Sequence, residues 1–154
     1  MNAPTLPLPP SGIFRGKLHL FPVRVYYEDT DLSGIVYHAN YLRWFERARS
    51  DLLRMLGIDQ RAAAETGEGT YAVAELTIRY LAPARLDDAV TIATSPTELG
   101  AASVRLRQQA MRDGDLLANA SVRVGFISPD GRPRRQPSAW RAAFQSLQSA
   151  KDAA

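Results

Sequence analysis

The sequence predicts an α+β fold in which a curved antiparallel sheet of about five strands wraps around one long central helix. Three observations carry that expectation. Apolar residues alternate with polar ones in several separate segments, the period of a strand with one buried face. One stretch after residue 40 instead repeats its apolar residues at three- and four-residue steps, as a helix does. The turns between the later alternating segments are too short for crossover helices, which disfavours a parallel sheet.

Residues 1–12, MNAPTLPLPPSG, hold four prolines and no charged side chain, so they lack the basic start and long apolar core of a secretory signal. They read as a flexible tail, expected over 1–18, before a single domain over 19–150. Val23, Val25 and Tyr27 alternate with Arg24 and Tyr26, which predicts a first strand ending near Glu28. Asn40 is placed to cap a helix whose apolar stripe is Tyr41, Phe45, Ala48, Leu52 and Met55, with Arg43, Arg47, Asp51 and Arg54 opposite. Leu42, Trp44, Leu53 and Leu56 widen that stripe, so neighbours are expected on several sides. Gly57 supplies a C-terminal stop. A short helix over Asp59–Glu65 and a turn at Gly67-Glu68-Gly69 follow.

Strand periodicity then returns. Leu76, Ile78 and Tyr80 alternate until Pro83 interrupts; Val90 with Ile92, and Val104 with Leu106, continue the pattern. The cleanest alternation runs from Leu116 to Phe126 between Asp113-Gly114 and Pro129-Asp130-Gly131. A last helix is expected over Ser138–Gln148. The central helix covers one sheet face, leaving Tyr71, Val73, Leu117 and Ile127 partly exposed on the other. Covering them, and pairing an open edge strand, calls for a second copy of the chain.

Composition narrows the chemistry. The chain has 154 residues, 45% of them apolar, enough for one compact core. Cysteine is absent, which removes disulfides, thiolate nucleophiles and Cys-ligated metals. His19 and His38 are the two histidines, and no metal-binding spacing appears, so no metal is expected. The net charge of +3 is spread among interspersed acids, which argues against a nucleic-acid partner. No apolar run is long enough for a membrane span, and a cytoplasmic location is expected.

Residues 26–49, YYEDTDLSGIVYHANYLRWFERAR, concentrate the candidate chemistry. Acids at Glu28, Asp29 and Asp31 fit either a solvated loop tip or an active-site carboxylate. Asp31 lies between a strand end and the start of the long helix, whose free N–H groups can stabilise a developing oxyanion. A carboxylate there can attack a carbonyl or deprotonate water. Gly34 permits unusual turn dihedrals and close approach of a substrate to the backbone. Ile35 and Val36 would exclude water. Asp29 reads better as a turn residue than as a catalyst, and His38 reads equally as a packed helix-entry residue or a functional one. Glu46 fits pairing with Arg43, Arg49 or Ser50 at helical spacing. Arg132, Arg134 and Arg135 fit a solvated surface or a phosphate contact.

This stretch, together with RYLAPARLDD at 79–88, closely resembles the Tol-Pal-associated, YbgC-type acyl-CoA thioesterases of the 4-hydroxybenzoyl-CoA thioesterase family. The similarity runs from about Val23 to Pro137. The resemblance implies a hotdog fold and hydrolysis of an acyl-CoA, or of an acyl group on acyl carrier protein, without metal or organic cofactor. It implies that Asp31 is the nucleophile or general base, supported by Asp29, and that His38 holds or polarises the acyl carbonyl. Backbone amides around Tyr37 to Asn40 would form the oxyanion site, Tyr27 matches a tyrosine of the motif, and Val36 and Tyr41 fall beside the substrate. Basic residues such as Arg132 and Arg134 would lie near the CoA phosphates, in a homodimer assembling to a tetramer. Two other activities fit the same resemblance: hydration or dehydration of an acyl thioester, and noncatalytic acyl-thioester binding.

Overall fold

The computed structural model describes residues 5–148. A six-stranded, wholly antiparallel sheet contains β1 (Ile13–Arg15), β2 (Leu18–Arg24), β3 (Thr70–Tyr80), β4 (Ala89–Leu99), β5 (Ser103–Arg112) and β6 (Asp115–Ile127). Their spatial order is β1-β2-β4-β5-β6-β3. The long helix α1 (Asn40–Met55) is followed by α2 (Gln60–Glu65), and α3 (Ser138–Leu147) ends the described chain.

The sheet folds around α1 because each presents an apolar surface that only the other can cover. Phe45, Ala48 and Leu52 of α1 are fully buried, as are Ile92 on β4, Val104 on β5 and Val122 on β6. Trp44 and Tyr41 join them in one cluster with Phe144 of α3. Burying each such large side chain contributes about 1.5–3 kcal/mol before the entropy of ordering it is subtracted. Gly57, at φ 78°, ends the helix in the left-handed conformation that glycine reaches without strain. Asp59 caps α2 by accepting the Ala62 N–H at 3.0 Å.

Several expectations change at residue level. Residues 13–18, expected within the tail, instead belong to the sheet, because Ile13–Arg15 pairs with Leu18–Leu20 as a hairpin; residues 1–4 of the expected tail lie outside the described residues. The first long strand is Leu18–Arg24 rather than Val23–Tyr27. Pro22 sits inside it opposite Thr91, where alternation gave no strand because proline is disfavoured there. The chain leaves the sheet after Arg24, and Tyr27–Asp29 form one turn of 3-10 helix with Tyr27 exposed. Met55 and Leu42 are partly exposed, whereas Asp51, expected on the polar side of α1, is buried. The domain end expected at residue 150 lies outside the described residues.

The four apolar residues expected on one outer face are not together. Tyr71 and Val73 point toward α1 and α3, where both line a cavity with Leu52 and Phe144. Leu117 is fully buried. It falls at a bulge, where the β5–β6 register slips between Ala110 and Met111 and leaves Leu117 without a direct partner. Such a bulge lets one residue turn to the other side of the sheet.

Candidate active site

The segment between β2 and α1 is held as a folded loop rather than a free tip. Asp29 is buried and accepts from the Tyr26 N–H at 2.7 Å and the Asn40 side-chain amide at 2.5 Å. Its carbonyl also receives the Tyr37 N–H at 2.8 Å. Asn40 therefore does not cap α1, whose N-cap is Ala39 without a side-chain bond. Asn40 spends its amide on tying the acidic loop to the helix start instead. Asp29 acts as the structural member of the pair of aspartates, consistent with its sequence preference for turns.

Isolated bridges join Thr30 to Val36 and Ile35 to Arg85, and the Val36 N–H donates to Ala84 at 2.9 Å. These bonds pin the loop against the β3–β4 connection. That connection is itself fixed by Asp88, which accepts from the Arg85 N–H and from Arg112, both at 2.8 Å. Those donors hold the Asp88 carboxyl below its ordinary pKa, with the Arg85 backbone as the larger cause.

An open cleft results. Asp31, Val36, His38 and Tyr41 line it, together with Ile35 and the segment Tyr80–Pro83. Asp31 is exposed, and its Oδ1 accepts from the Ser33 hydroxyl at 2.5 Å and the Ser33 N–H at 2.8 Å. Ser33 holds the carboxyl below the ordinary aspartate range, mainly through that hydroxyl, with the Ile35 backbone and nearby His38 adding to the effect. At neutral pH the group is an anion. Gly34 has φ 80°, and a Cβ there would stand in open space. Its glycine is therefore explained by the left-handed turn itself.

At the helix start, the Tyr37 and Asn40 N–H groups are spent on Asp29 and on the Tyr37 carbonyl. Among the described residues no carbonyl or side chain receives the N–H of His38 or Ala39. The His38 ring is exposed, packed on Tyr37 at a centroid distance of 4.5 Å and edge-on to Tyr80 at 6.3 Å. The Tyr80 hydroxyl donates to the His38 carbonyl at 2.7 Å, fixing that peptide. Burial raises the Tyr41 hydroxyl above its ordinary pKa, so it stays protonated.

The cleft thus gathers Asp31, Val36, His38 and Tyr41 from the expected set. Gly34, Tyr37 and Asn40 shape its frame without lining it, and Tyr27 is exposed and does not line it either. Arg132 and Arg134 lie elsewhere. Arg134 donates to the carbonyls of Gly67 and Glu68 at 3.1 and 2.7 Å, next to the start of β3. Tyr80, at the cleft, ends that eleven-residue strand, roughly 30 Å away at the rise of an extended chain. Arg132 is largely exposed and 3.6 Å from Asp130. Tyr80 to Pro83 escaped the site reading because alternation marks them only as a strand ending at proline; their proximity to residue 31 is a product of topology.

Residues 33–119 match the family model of the thioesterase superfamily, a span that begins two residues after Asp31. The chain is 41% identical over 128 residues to acyl-CoA thioesterase YbgC of Haemophilus influenzae, covering 82% of this chain and 94% of that protein. It is 39% identical over 130 residues to acyl-CoA thioester hydrolase YbgC of Escherichia coli O6:H1, covering 83% and 96%. Among solved structures, a probable thioesterase from Bartonella henselae superposes with a TM-score of 0.75 at 37% identity, covering 78% of this chain and 99% of that one. A DHNA-CoA thioesterase from Staphylococcus aureus, at 23% identity and a TM-score of 0.81, shares the fold. With a family model spanning more than half its length and a sheet wrapped around a central helix, this chain belongs to the thioesterase superfamily and has the hotdog fold.

Proposed function

We propose that the chain hydrolyses acyl-CoA thioesters to a carboxylic acid and free CoA, with Asp31 as the reactive carboxylate. The observation that carries this reading is the placement of an ionised Asp31 in a cleft that also holds the start of α1. Either the carboxylate adds to the thioester carbonyl, expelling thiolate and leaving a mixed anhydride that water cleaves, or it takes a proton from the attacking water. In both routes the carbonyl oxygen gains negative charge. The N–H groups of His38 and Ala39, near the positive end of α1, are the donors best placed for it. The His38 ring would orient the carbonyl, and Val36 and Tyr41 would flank the reacting group. Gly34, Tyr37 and Asn40 contribute by shaping the turn, and Tyr27 has no assigned contact. Acyl carrier protein would present the same thioester as CoA.

The working form is a homodimer, able to assemble further to a tetramer. β3 is an edge strand with Val73, Tyr80 and, just beyond it, Leu81 all about half exposed. Pairing two copies of β3 antiparallel along their length removes the open edge. It also brings the Thr70 end of one copy to the Tyr80 end of the other. Arg134, and Arg132 with it, would then approach the second copy's cleft, where CoA phosphates need cations. One thioesterase domain without metal or cofactor, acting in the cytoplasm, completes the reading; among the described residues no helix is long and apolar enough to cross a membrane.

Thiol release from a panel of acyl-CoAs tests the proposal. Asp31→Asn should lower kcat by roughly 100-fold or more with little change in substrate binding. Full activity in that variant, or double-bond chemistry without thiol release, would overturn it.

A further inference from the structure

Tyr80 enters the cleft from the last position of β3, far in sequence from the stretch that carries Asp31. Its hydroxyl donates to the His38 carbonyl at 2.7 Å. That carbonyl depends on the contact. Among the described residues no backbone N–H donates to it, and the Leu42 N–H, four residues on, goes to the Ala39 carbonyl instead at 3.1 Å. One residue back, the Tyr37 carbonyl receives the Asn40 N–H at 2.9 Å. The two peptide units that flank the His38 Cα are therefore each held at their oxygen, one by the helix start and one by Tyr80. They are also the units whose N–H groups, on His38 and Ala39, have no partner among the described residues.

A peptide unit is planar, so holding its oxygen also sets the direction of its N–H. A donor on the oxygen polarises the unit as well, which strengthens the N–H as a donor in turn. Tyr80 is rigidly mounted for this task. It pairs with Ala118 of β6, and the next two N–H groups, of Leu81 and Ala82, donate to the Leu117 carbonyl at 2.8 and 3.2 Å. Its ring stands edge-on to Tyr41 at a centroid distance of 5.5 Å and to His38 at 6.3 Å. Partial burial raises the pKa of its hydroxyl, which keeps the proton that it donates. A phenol has a single proton to donate. Here that proton is on the His38 carbonyl, so the hydroxyl acts through the peptide and not on the substrate.

Resting on the thioesterase reading, we propose that Tyr80 is a positioning residue for the oxyanion site: its hydroxyl locks the peptide between His38 and Ala39, so that both N–H groups are aligned before the thioester oxygen gains charge. The first turn of a helix is its least constrained part, because helix ends fray. Tyr80 ties that turn to the sheet, whose strand end is fixed on its own account. Donors that are fixed in advance stabilise the transition state without reorganising, and they favour it over the bound substrate, whose carbonyl oxygen carries less charge. The benefit therefore belongs to kcat rather than to KM.

Tyr80→Phe keeps the half-exposed ring and removes the hydroxyl alone, so its melting temperature should stay near that of the wild type. Against the acyl-CoA that the wild type hydrolyses fastest, kcat should fall about tenfold while KM changes by less than about twofold. That loss is smaller than the roughly 100- to 1,000-fold cost of deleting an oxyanion donor outright. In substrate-free protein labelled with nitrogen-15 alanine, the Ala39 nitrogen resonance should move upfield in the variant, as a peptide does when its carbonyl loses a donor. Fluorotyrosine in place of Tyr80, a more acidic donor of nearly the same size, should hold or raise kcat at neutral pH. Unchanged kcat in Tyr80→Phe, a loss carried by KM instead, or an unmoved Ala39 resonance overturns the assignment. Should Tyr80→Phe not fold, the fluorotyrosine enzyme decides, and a fall in its kcat overturns it. Any of these results, with thiol release by the wild type, leaves the thioesterase reading intact. No thiol release from any acyl-CoA removes both.

Discussion

Ser33 reaches Asp31 with both its hydroxyl and its N–H, and both bonds favour the ionised carboxylate. The sign follows directly. Asp31's folded pKa lies below the unfolded one, so the contact supports folding at pH values above the unfolded pKa and is lost as pH falls through the folded one. Activity that needs the anion should likewise persist to acid pH. Ser33→Ala removes the larger bond, so the acid limb of the kcat/KM profile should move to higher pH while the alkaline limb stays in place. An unmoved acid limb would mean that a different group controls it. Asp51 shows the opposite environment. It is buried against His19 at 2.7 Å and also accepts from the Gly12 N–H at 2.9 Å and the Ser11 hydroxyl at 3.1 Å. A Cβ at Gly12 would come within 2.5 Å of the Leu20 carbonyl oxygen and 2.7 Å of the carboxylate, which is why that approach needs glycine. Asp51→Ala should lower unfolding free energy in denaturant titration by about 3–5 kcal/mol, the cost of orphaning buried polar partners. None of this was legible in the helical pattern. Periodicity assigns an aspartate to the wet side, and the donors that invert that assignment come from residues some forty and thirty positions upstream.

At the scale of elements, the sequence announced what alternates regularly and hid what does not. β4, β5, β6, α1 and α2 include the residues whose periodicity predicts them, although Asn40 is the first residue of α1 and not its cap. β3 was seen only from Leu76 onward, because a bulge between Val73 and Glu75 breaks the alternation of its first half. That half matters, since it carries Val73, exposed at 50% on the unpaired edge. Val73→Lys places a charge where edge pairing would bury it, a device that natural edge strands use to stay single. The variant should elute as a monomer at micromolar concentration while its far-UV circular dichroism stays that of the wild type. A dimer of unchanged stability would show that copies associate through another surface.

For the molecule as a whole, the candidate cleft was half legible. The stretch from Asp31 to Tyr41 is continuous in sequence, so its acids, glycine and histidine could be read together. The opposing wall, Tyr80 to Pro83, arrives because β3 crosses to the far edge of the sheet and the chain then returns to place β4 beside β2. Arg132 and Arg134 were grouped with the site by resemblance, yet within one copy the length of β3 separates them from it. Composition reports that cations exist, not which strand end they flank.

The strand order also bears on how the chain is born. β2 pairs with β4, and β3 with β6, across long stretches of sequence, so the wrapping of α1 must wait for strands made much later. Trp44 and Phe45 leave the ribosome some eighty residues ahead of Val124 and Phe126. At about 5–20 residues per second that is several seconds of bare apolar helix. During that interval the nascent chain presents the kind of surface that chaperones bind, and the last strand synthesised is the one that ends the exposure.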